Sequence, residues 1–426
     1  MRTITEPARE IPVVAEVDVL VAGGGPAGFA AAVAAARLGA KVMLIERYGC
    51  LGGLATGGLV LYMDGLSDGS ERVIGGVCWE SMERLRAQGG LAVRGPLKYD
   101  VDSELYKLTL DEMCVEAGVR LRLHSWVVNA LVEEGKVRGV VMESKSGREA
   151  VLANTIIDAT GDGDVAALAG AEYEMGHMRV GLNMKVGGVD RARYQTFAEE
   201  QPERARDLRA ALREQGGYPI GMGPTPYSDE GVFWVNVVGL AERGGLGPRD
   251  DASYDERWYG HLNAVDAEDL TYAELELRRR LGMSLDYYRK NVPGYEKVRL
   301  LAFASQLGVR ESRHILGKVV LSGEDVLMGR AFDDAIGRGG LVSQRVAYQI
   351  PYRALVPRDL NGLLMAGRCI STDQAALGHI RVIPPMMVTG QAAGTAAFMA
   401  VELGREPGEV DPAILRRQLA ADGVIL

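Results

Sequence analysis

Cysteine and histidine are scarce in this sequence. The 426 residues include four cysteines and five histidines, and Cys50, Cys78, Cys114 and Cys369 lie far apart with no C-x-x-C pair. Structural zinc sites and dithiol redox centres normally need closely spaced cysteines. The sequence therefore predicts no metal site, no dithiol pair and no iron–sulfur cluster held by this chain. This cysteine usage suits a reducing cytoplasm.

An excess of basic residues and a long apolar run are also absent. There are 57 Asp and Glu against 48 Lys and Arg, which gives a net charge of −9. Because the two signs are interspersed, we expect neither nucleic acid nor an anionic membrane as a partner. The segment Met1–Glu16 carries acidic residues before any apolar run. We therefore expect no signal peptide and no transmembrane segment.

Glycine, in contrast, is abundant, with 55 residues. An apolar strand, Val17–Ala22, leads into Gly23-x-Gly25-x-x-Gly28 and an alanine-rich helix at about Ala27–Leu38. In a dinucleotide-binding turn the first glycine allows the tight bend and the second lets the pyrophosphate approach the backbone. The third glycine lets helix and strand pack closely. This order predicts a dinucleotide site rather than a chance glycine turn.

The residues after the helix complete the same unit. A second apolar strand, Lys41–Ile45, ends at Glu46, about 20 residues after the glycine turn. A carboxylate in that position accepts hydrogen bonds from both ribose hydroxyls. The N-terminus of the helix, which starts at about Ala27, offers unpaired N–H groups and a partial positive charge to the phosphates.

The segments farther along the chain favour FAD as the dinucleotide. A second glycine-rich turn, Gly49–Gly58, follows the ribose acid directly. Ile156–Asp164 is a strand ending in A-T-G-D, and Asn361–Arg368 is a strand ending in A-G-R. A helical segment follows at Pro384–Ala397. No second strand–G-x-G-x-x-G–helix unit is visible, so we expect no dedicated nicotinamide domain.

These segments together resemble the two-dinucleotide-fold flavoproteins of the glutathione-reductase type. More narrowly, they resemble the FAD-dependent oxidoreductase family, which is related to succinate dehydrogenase and fumarate reductase flavoproteins. The closest phrases are Ile157–Asp164, Gly308–Arg313 and Leu364–Ser371, and the resemblance extends from Val17 to Val401. The motifs and the resemblance give the following expected FAD contacts: Gly23, Gly25, Pro26, Ala27, Gly28, Glu46, Arg47, Gly52, Gly53, Leu54, Ala55, Thr56, Val127, Ala159, Thr160, Gly161, Asp164, Gly367, Arg368, Gly390 and Ala393.

The expected fold is α/β, with a discontinuous Rossmann-like FAD-binding domain formed by residues 1–176 and 301–426. An α+β substrate or cap domain is expected at 177–300. Within it, Arg191–Gln215 is predicted to be helical, Gly231–Val238 a strand, and Thr271-x-x-Glu274 a capping box that opens a helix. Gly337–Gly340 lacks a preceding strand and is interpreted as a loop.

Arg381, His379, Arg310 and Arg353 are the candidate catalytic residues. In the related reductases an arginine just before the last helix lies beside the flavin and the substrate carboxylate, and Arg381 holds that place by motif order. His379 can titrate near neutrality, although a loop histidine bonded to backbone is the alternative. Arg310 belongs to the family phrase but would also fit an ion-pair network. Arg353 lies where the fumarate reductase relatives carry a substrate-binding histidine, which argues against a dicarboxylate substrate.

Two further positions follow from the resemblance. Arg368 replaces the acid that those relatives carry after A-G, which suggests a contact with the cofactor phosphates. Cys50 is placed where some flavoproteins attach FAD covalently, but a loop cysteine is commoner. Polar and aromatic residues of the inserted segment are interpreted as a pocket wall, with core packing as the alternative: Tyr218, Tyr227, Trp234, Asn236, Trp258, Tyr259, His261 and Asn263.

The function expected from these observations is a soluble FAD-dependent oxidoreductase that transfers a hydride or electron pair between a small organic substrate and flavin N5. The alternatives are an electron-transferring flavoprotein subunit of a larger complex and a thiazole-synthase-like biosynthetic flavoprotein. The expected partners are a small-molecule substrate and an electron donor or acceptor that the sequence does not identify. The sequence is also compatible with a homo-oligomer.

Overall fold

A computed structural model describes residues 2–237, 239–242 and 262–426. Within them the strands are β1 (Val13–Ala22), β2 (Val42–Ile45), β3 (Tyr62–Met63), β4 (Leu91–Gly95), β5 (Lys98–Val101), β6 (Arg120–Arg122), β7 (Trp126–Glu133), β8 (Lys136–Ser144), β9 (Gly147–Asp158), β10 (Tyr173–Met175), β11 (Met184–Gly187), β12 (Phe233–Val235), β13 (Arg299–Phe303), β14 (Arg313–Ile315), β15 (Ala335–Leu341), β16 (Val346–Pro351) and β17 (Leu363–Met365). The helices are α1 (Pro26–Arg37), α2 (Gly76–Ala87), α3 (Ser103–Glu116), α4 (Asp164–Leu168), α5 (Arg191–Glu200), α6 (Pro202–Glu214), α7 (Ala267–Asn291), α8 (Gly323–Leu327), α9 (Gln374–Ile380), α10 (Ile383–Leu403) and α11 (Pro412–Ala421).

The central element is a mixed seven-stranded sheet in the order β6-β2-β1-β9-β8-β7, with β17 pairing with β9. β1 is parallel to β2 and β9, while β7, β8 and β9 form an antiparallel meander. The second half of β9 pairs in parallel with β17. Parallel strands covered on both faces are continuously apolar, as the fully buried Val42–Ile45 illustrates. This α/β sheet confirms the Rossmann-like fold predicted from the first βαβ unit.

Helices α1 and α10 lie against each other beside this sheet because glycine replaces larger residues where they meet. A Cβ on Gly390 would lie 2.0 Å from the carbonyl oxygen of Ala27, and one on Gly394 would lie 2.1 Å from that of Ala31. Both distances are far below van der Waals contact, so alanine does not fit at either position without movement of the backbone. The alanine-rich α1 therefore packs at backbone contact distance against α10.

A smaller antiparallel sheet, β12-β11-β13, and helices α5 to α7 follow the central sheet in the chain. The helical run predicted at Arg191–Gln215 is divided into α5 and α6, because Pro202 cannot continue the hydrogen bonds of α5. The capping box at Thr271 is wrong. Helix α7 begins earlier, and the Asp266 side chain caps it by accepting from the amides of Glu268 and Asp269.

The loop interpretation of Gly337–Gly340 is also wrong, because these residues lie in β15 and pair with β16. The glycines serve close packing: a Cβ on Gly340 would lie 2.0 Å from the carbonyl oxygen of Ser67. The domain boundaries at 176 and 300 stay a prediction. No helix in the described part of the chain combines the length and the apolar character needed to cross a bilayer.

Candidate cofactor and substrate site

A cavity of about 600 Å³ lies at the carboxyl ends of β1, β2, β9 and β17. Open α/β sheets bind ligands at this edge, because the loops after neighbouring parallel strands meet there. The cavity wall combines the Gly23–Ala27 turn, Glu46–Tyr48 and Ala159–Asp162 with Gly367–Arg368. The inserted segment and residues 306–310 also contribute to the wall. Motifs that lie far apart in the chain therefore share one cavity.

The first glycine turn has the geometry that its spacing predicts. Gly23 has a φ of +99°, and a Cβ there would lie 2.4 Å from the carbonyl oxygen of Ala159. A Cβ on Gly28 would lie 1.8 Å from the carbonyl oxygen of Gly23, so Gly28 permits close packing of helix and strand. Gly25 lines the cavity, and a Cβ there would meet nothing within 4 Å. The backbone of Gly25 is therefore open to a phosphate at the N-terminus of α1.

Glu46 is buried and accepts two backbone hydrogen bonds. Its Oε2 accepts a hydrogen bond from the Gly24 amide at 2.6 Å, and its Oε1 accepts one from the Tyr48 amide at 2.8 Å. Each carboxylate oxygen retains a further lone pair, and the side chain lines the cavity. Burial raises the pKa of Glu46, and the Tyr48 and Gly24 amides oppose this increase. Glu46 thus closes the turn and can still accept ribose hydroxyls.

Arg368 lines the cavity, but its guanidinium is engaged by protein groups. Nη2 donates to Asp162 Oδ1 at 2.7 Å, and Nη1 donates to Ser312 Oγ at 2.8 Å. Burial opposes ionisation of Asp162, but Arg368 and Ser312 outweigh it and lower the pKa of this carboxyl group. Arg313 forms a parallel ion pair with Asp164 at 2.8 Å. The phosphate contact expected of Arg368 stays a prediction, while its ion pair with Asp162 joins two motifs.

At the end of the cavity near the start of α10, Tyr62, Asp64, Arg94 and Trp234 line the wall. The Arg94 guanidinium binds Asp100 through two nitrogens and stacks 4.7 Å from the centre of the Tyr62 ring. The Trp234 indole donates to Asp100 Oδ1 at 3.0 Å. The buried Asp100 therefore fixes both a cation and an aromatic ring in this wall.

Asp64 and Arg381 approach the same end from different elements. Arg381 is the residue that ends α9, immediately before α10. Burial raises the pKa of Asp64, whereas the Gly65 amide and the positive charges of Arg381, Lys98 and Arg94 oppose the increase. Burial and Arg381 lower the pKa of His379, which favours a neutral imidazole.

Residues 306–310 form a further part of the cavity wall. Arg310 donates from Nη1 to the carbonyl oxygen of Arg179 at 2.9 Å and from Nη2 to that of Val237 at 3.2 Å. Gln306 is 8% exposed, and its Nε2 has no hydrogen-bond partner among the described residues. A buried amide of this kind on a cavity wall is suited to a polar ligand. The open Gly25 turn, the Glu46 carboxylate and the Gln306 amide together fit FAD.

The structure brings most of the predicted contacts to the cavity. Those that line it are Gly23, Gly25, Pro26, Ala27, Glu46, Arg47, Gly53, Leu54, Ala159, Thr160, Gly161, Gly367, Arg368, Arg310 and Arg381. Val127 and Asp164 line a small adjoining space of about 40 Å³.

The remaining predicted residues support the wall from behind or lie elsewhere. Gly28 and Gly390 make close packing contacts, Ala55 and Ala393 are buried, and Gly52 and Thr56 hold the second turn through hydrogen bonds to Gly24 and Leu51. His379 is absent from the cavity wall. Arg353 is half exposed and binds Asp334 through two nitrogens, outside the cavity.

The predicted aromatic wall is correct in part. Trp234 and Asn236 line the cavity, whereas Tyr218 is buried in the core and Tyr227 is 39% exposed. Asn263 accepts from the Val265 amide before α7 and is not among the lining residues. Trp258, Tyr259 and His261 lie outside the described residues.

Sequence reasoning missed Asp64, Tyr62, Arg94, Asp162 and Gln306. Asp162 is the acid of the A-T-G-D motif and Gln306 lies two residues before the Gly308–Arg313 phrase, so both had a usable signal. Tyr62, Asp64 and Arg94 carry no motif, and their proximity depends on the pairing of β3 and β4 with β5. No cluster of metal-binding side chains occurs in the part of the chain that the structure describes.

Comparisons with known proteins agree with this site. The family model described as FAD dependent oxidoreductase matches residues 18–419. The tRNA uridine 5-carboxymethylaminomethyl modification enzyme MnmG of Wolinella succinogenes is 35% identical over 150 residues, which is 33% of this chain and 23% of that protein. Digeranylgeranylglycerophospholipid reductase 1 of Methanopyrus kandleri is 33% identical over 153 residues, 34% of this chain and 40% of that protein. The chain thus matches less than half the length of either relative.

A solved structure of a geranylgeranyl bacteriochlorophyll reductase-like protein from Thermoplasma acidophilum covers 95% of this chain and 82% of its own, with a TM-score of 0.47 and 16% identity. The family match extends over nearly the whole chain and includes every motif that forms the cavity. The chain therefore belongs to the FAD dependent oxidoreductase family and is an FAD-binding oxidoreductase.

Proposed function

We propose that this enzyme transfers a hydride between a small organic substrate and flavin N5. The observation that carries the proposal is a single cavity that is lined both by the dinucleotide turn and, near the start of α10, by Tyr62, Asp64, Arg94 and Trp234. We call the part of the cavity beside these four side chains the second compartment. The cavity thus provides a place for a reacting molecule beside the cofactor.

The residues of the chain have separable roles in this proposal. Gly25, the N-terminus of α1 and Glu46 hold the pyrophosphate and adenosine ribose, and Gln306 provides an amide to the ring or to the substrate. FAD supplies the two-electron chemistry at its ring. The aromatic wall excludes water from the compartment, and the cations Arg381 and Arg310 favour negative charge within it. These assignments follow from the positions of the side chains around the cavity.

The first test is the cofactor. The purified protein is expected to be yellow, and acid precipitation is expected to release FAD into the supernatant, because Cys50 is not among the residues that line the cavity. If flavin stays with the precipitated wild-type protein but is released from Cys50→Ser, FAD is covalently bound to Cys50 instead.

The second test is the reaction. An anaerobic screen should find small metabolites that bleach the flavin absorbance of the wild-type protein, or that reoxidise the dithionite-reduced protein. Bleaching by no metabolite, together with rapid reduction by a partner flavoprotein or ferredoxin, would favour an electron-transferring subunit. A relative is named for tRNA uridine modification, so tRNA belongs in the same screen. The net charge of −9 leads us to expect no binding of tRNA at physiological salt.

A further inference from the structure

Asp64 is the carboxyl group best placed to exchange a proton with a molecule in the second compartment. It lines the cavity directly after β3. Its Oδ1 accepts a hydrogen bond from the Gly65 amide at 2.9 Å, which leaves Oδ2 available to a ligand. Gly65 has a φ of +80°, and a Cβ there would lie 3.1 Å from both Val382 and Pro385 side chains. This close approach fixes the Asp64 turn against the start of α10.

The other polar groups around this compartment are poorly suited to exchange a proton. Arg94, Arg310 and Arg381 keep their protons at all ordinary pH values. Burial, followed by the charge of Asp64, raises the pKa of Tyr62, so its phenol stays protonated. Trp234, Asn236 and Gln306 do not titrate. The lining carboxylate Asp162 is already paired with Arg368, and Glu46 belongs to the glycine turn.

The titratable and charged groups that face Asp64 come from several elements. Tyr62 lies on β3, Arg94 on β4, Lys98 on β5, and Arg381 between α9 and α10. The cations favour the carboxylate and burial favours the neutral acid, with burial the larger of the two effects. Burial and the surrounding cations thus act in opposite directions on the pKa of Asp64, which is how enzymes adjust the pKa of a general acid–base group.

We propose that Asp64 is the proton-transferring residue of this enzyme, and that the substrate is oxidised or reduced at a carbon bonded to a protonatable atom. The proposal rests on the hydride transfer proposed above. In the oxidative direction the C–H bond breaks and its electron pair leaves with the hydrogen as hydride to FAD. The proton on the neighbouring oxygen, nitrogen or carbon moves to Asp64 Oδ2, and a double bond forms. In the reductive direction neutral Asp64 returns that proton as hydride reaches carbon.

The test uses Asp64→Asn, which keeps the size of the side chain, and Asp64→Glu, which keeps the acid. Glu112→Gln, an exposed carboxylate on α3, is the matched control. Each holoenzyme is compared in FAD content, melting temperature and the anaerobic rate of flavin bleaching by a metabolite from the screen, across a pH series. Infrared difference spectra of wild type against Asp64→Asn measure the carboxyl C=O band over the same series, independently of turnover.

We expect Asp64→Asn to retain FAD and to lose bleaching rate by roughly 100-fold or more, which is the usual contribution of a general acid–base group. In the oxidative direction the wild-type rate should rise with pH as Asp64 ionises. This rising limb of the pH–rate profile should be missing from Asp64→Asn and present in Asp64→Glu. The infrared band should disappear as the wild-type rate rises.

Equal rates and equal pH profiles in wild type and Asp64→Asn would overturn the role of Asp64 and leave the hydride transfer intact. A wild-type enzyme that no metabolite bleaches or reoxidises would overturn the proposed function itself, and the role of Asp64 with it. If Asp64→Asn fails to fold, the pH profile of Asp64→Glu and infrared difference spectra of the wild type against Asp64→Glu decide the question. A rate limb that does not coincide with loss of that band overturns the proposal.

Discussion

Replacement of Glu46 tests whether this side chain binds the adenosine ribose or only closes the glycine turn. Its two oxygens accept from the Gly24 and Tyr48 amides, so a loss of FAD affinity alone would not separate the two roles. FMN makes this separation, because it lacks the adenosine half of FAD. We expect Glu46→Gln and Glu46→Ala to weaken FAD binding strongly and FMN binding little.

The magnitude follows from the number of hydrogen bonds. Two ribose hydroxyls donating to a buried carboxylate form charge-assisted bonds, each contributing about 1.5–3 kcal/mol. The glutamine amide retains one acceptor, and water partly replaces the lost partner in the alanine variant. We therefore expect a loss of about 2–4 kcal/mol for Glu46→Ala and about half of it for Glu46→Gln. Since 1.4 kcal/mol is a tenfold change, the alanine variant should bind FAD roughly 30- to 1,000-fold more weakly.

The assay titrates the apoprotein with FAD and with FMN and monitors binding through the quenching of flavin fluorescence. Glu112→Gln is the control. Affinity for FAD should also fall at acid pH, because the protonated Glu46 accepts fewer hydrogen bonds. Unchanged FAD affinity would show that Glu46 does not bind the ribose. An equal loss of FAD and FMN affinity would show that the carboxylate only supports the turn.

Three further outcomes are expected. Arg381→Met should lower the flavin midpoint potential by roughly 20–40 mV, because a fixed cation beside a reduced anionic flavin contributes about 1–2 kcal/mol after screening. Potentiometry measures this change, with Arg417→Met, a change at an exposed residue, as the control. An unchanged potential would show that Arg381 has only a structural role. Gly390→Ala should destabilise the fold by about 1–3 kcal/mol through overpacking against Ala27. Gly282→Ala on α7 should instead stabilise the fold by about 0.5–1 kcal/mol, because its Cβ would meet nothing within 4 Å. Urea unfolding measures both free energies, and a change in the same direction for the two variants refutes the packing argument. Burial raises the pKa of Asp158 to about 6 despite hydrogen bonds from Ala166 and Thr160. Because this carboxyl group ionises at lower pH in the unfolded chain than in the folded protein, the free energy of unfolding should fall by about 3 kcal/mol as the pH rises from about 4 to 6. The difference in unfolding free energy between wild type and Asp158→Asn should show this slope, and a difference that does not change with pH contradicts it.

The sequence by itself determined the dinucleotide turn and the sheet that supports it. Local rules were sufficient there, because the strand, glycine turn and helix of Val17–Arg37 are contiguous and their apolar pattern has a single period. The position of Glu46 followed for the same reason, since this residue comes directly after the next strand. The hairpin of β7 and β8 is also determined locally, because its two turn residues, Glu134 and Gly135, both have positive φ, as a type I′ turn requires.

The tertiary structure alone decided the second compartment and the partners of the arginines. Arg353 and Arg310 both look like substrate cations in sequence, yet Asp334 holds one outside the cavity while two carbonyl groups hold the other in its wall. Asp64 carries no motif, because its function depends on burial and on cations from other elements. Burial and charge proximity are properties of packing between distant segments, so local sequence patterns contain no record of them.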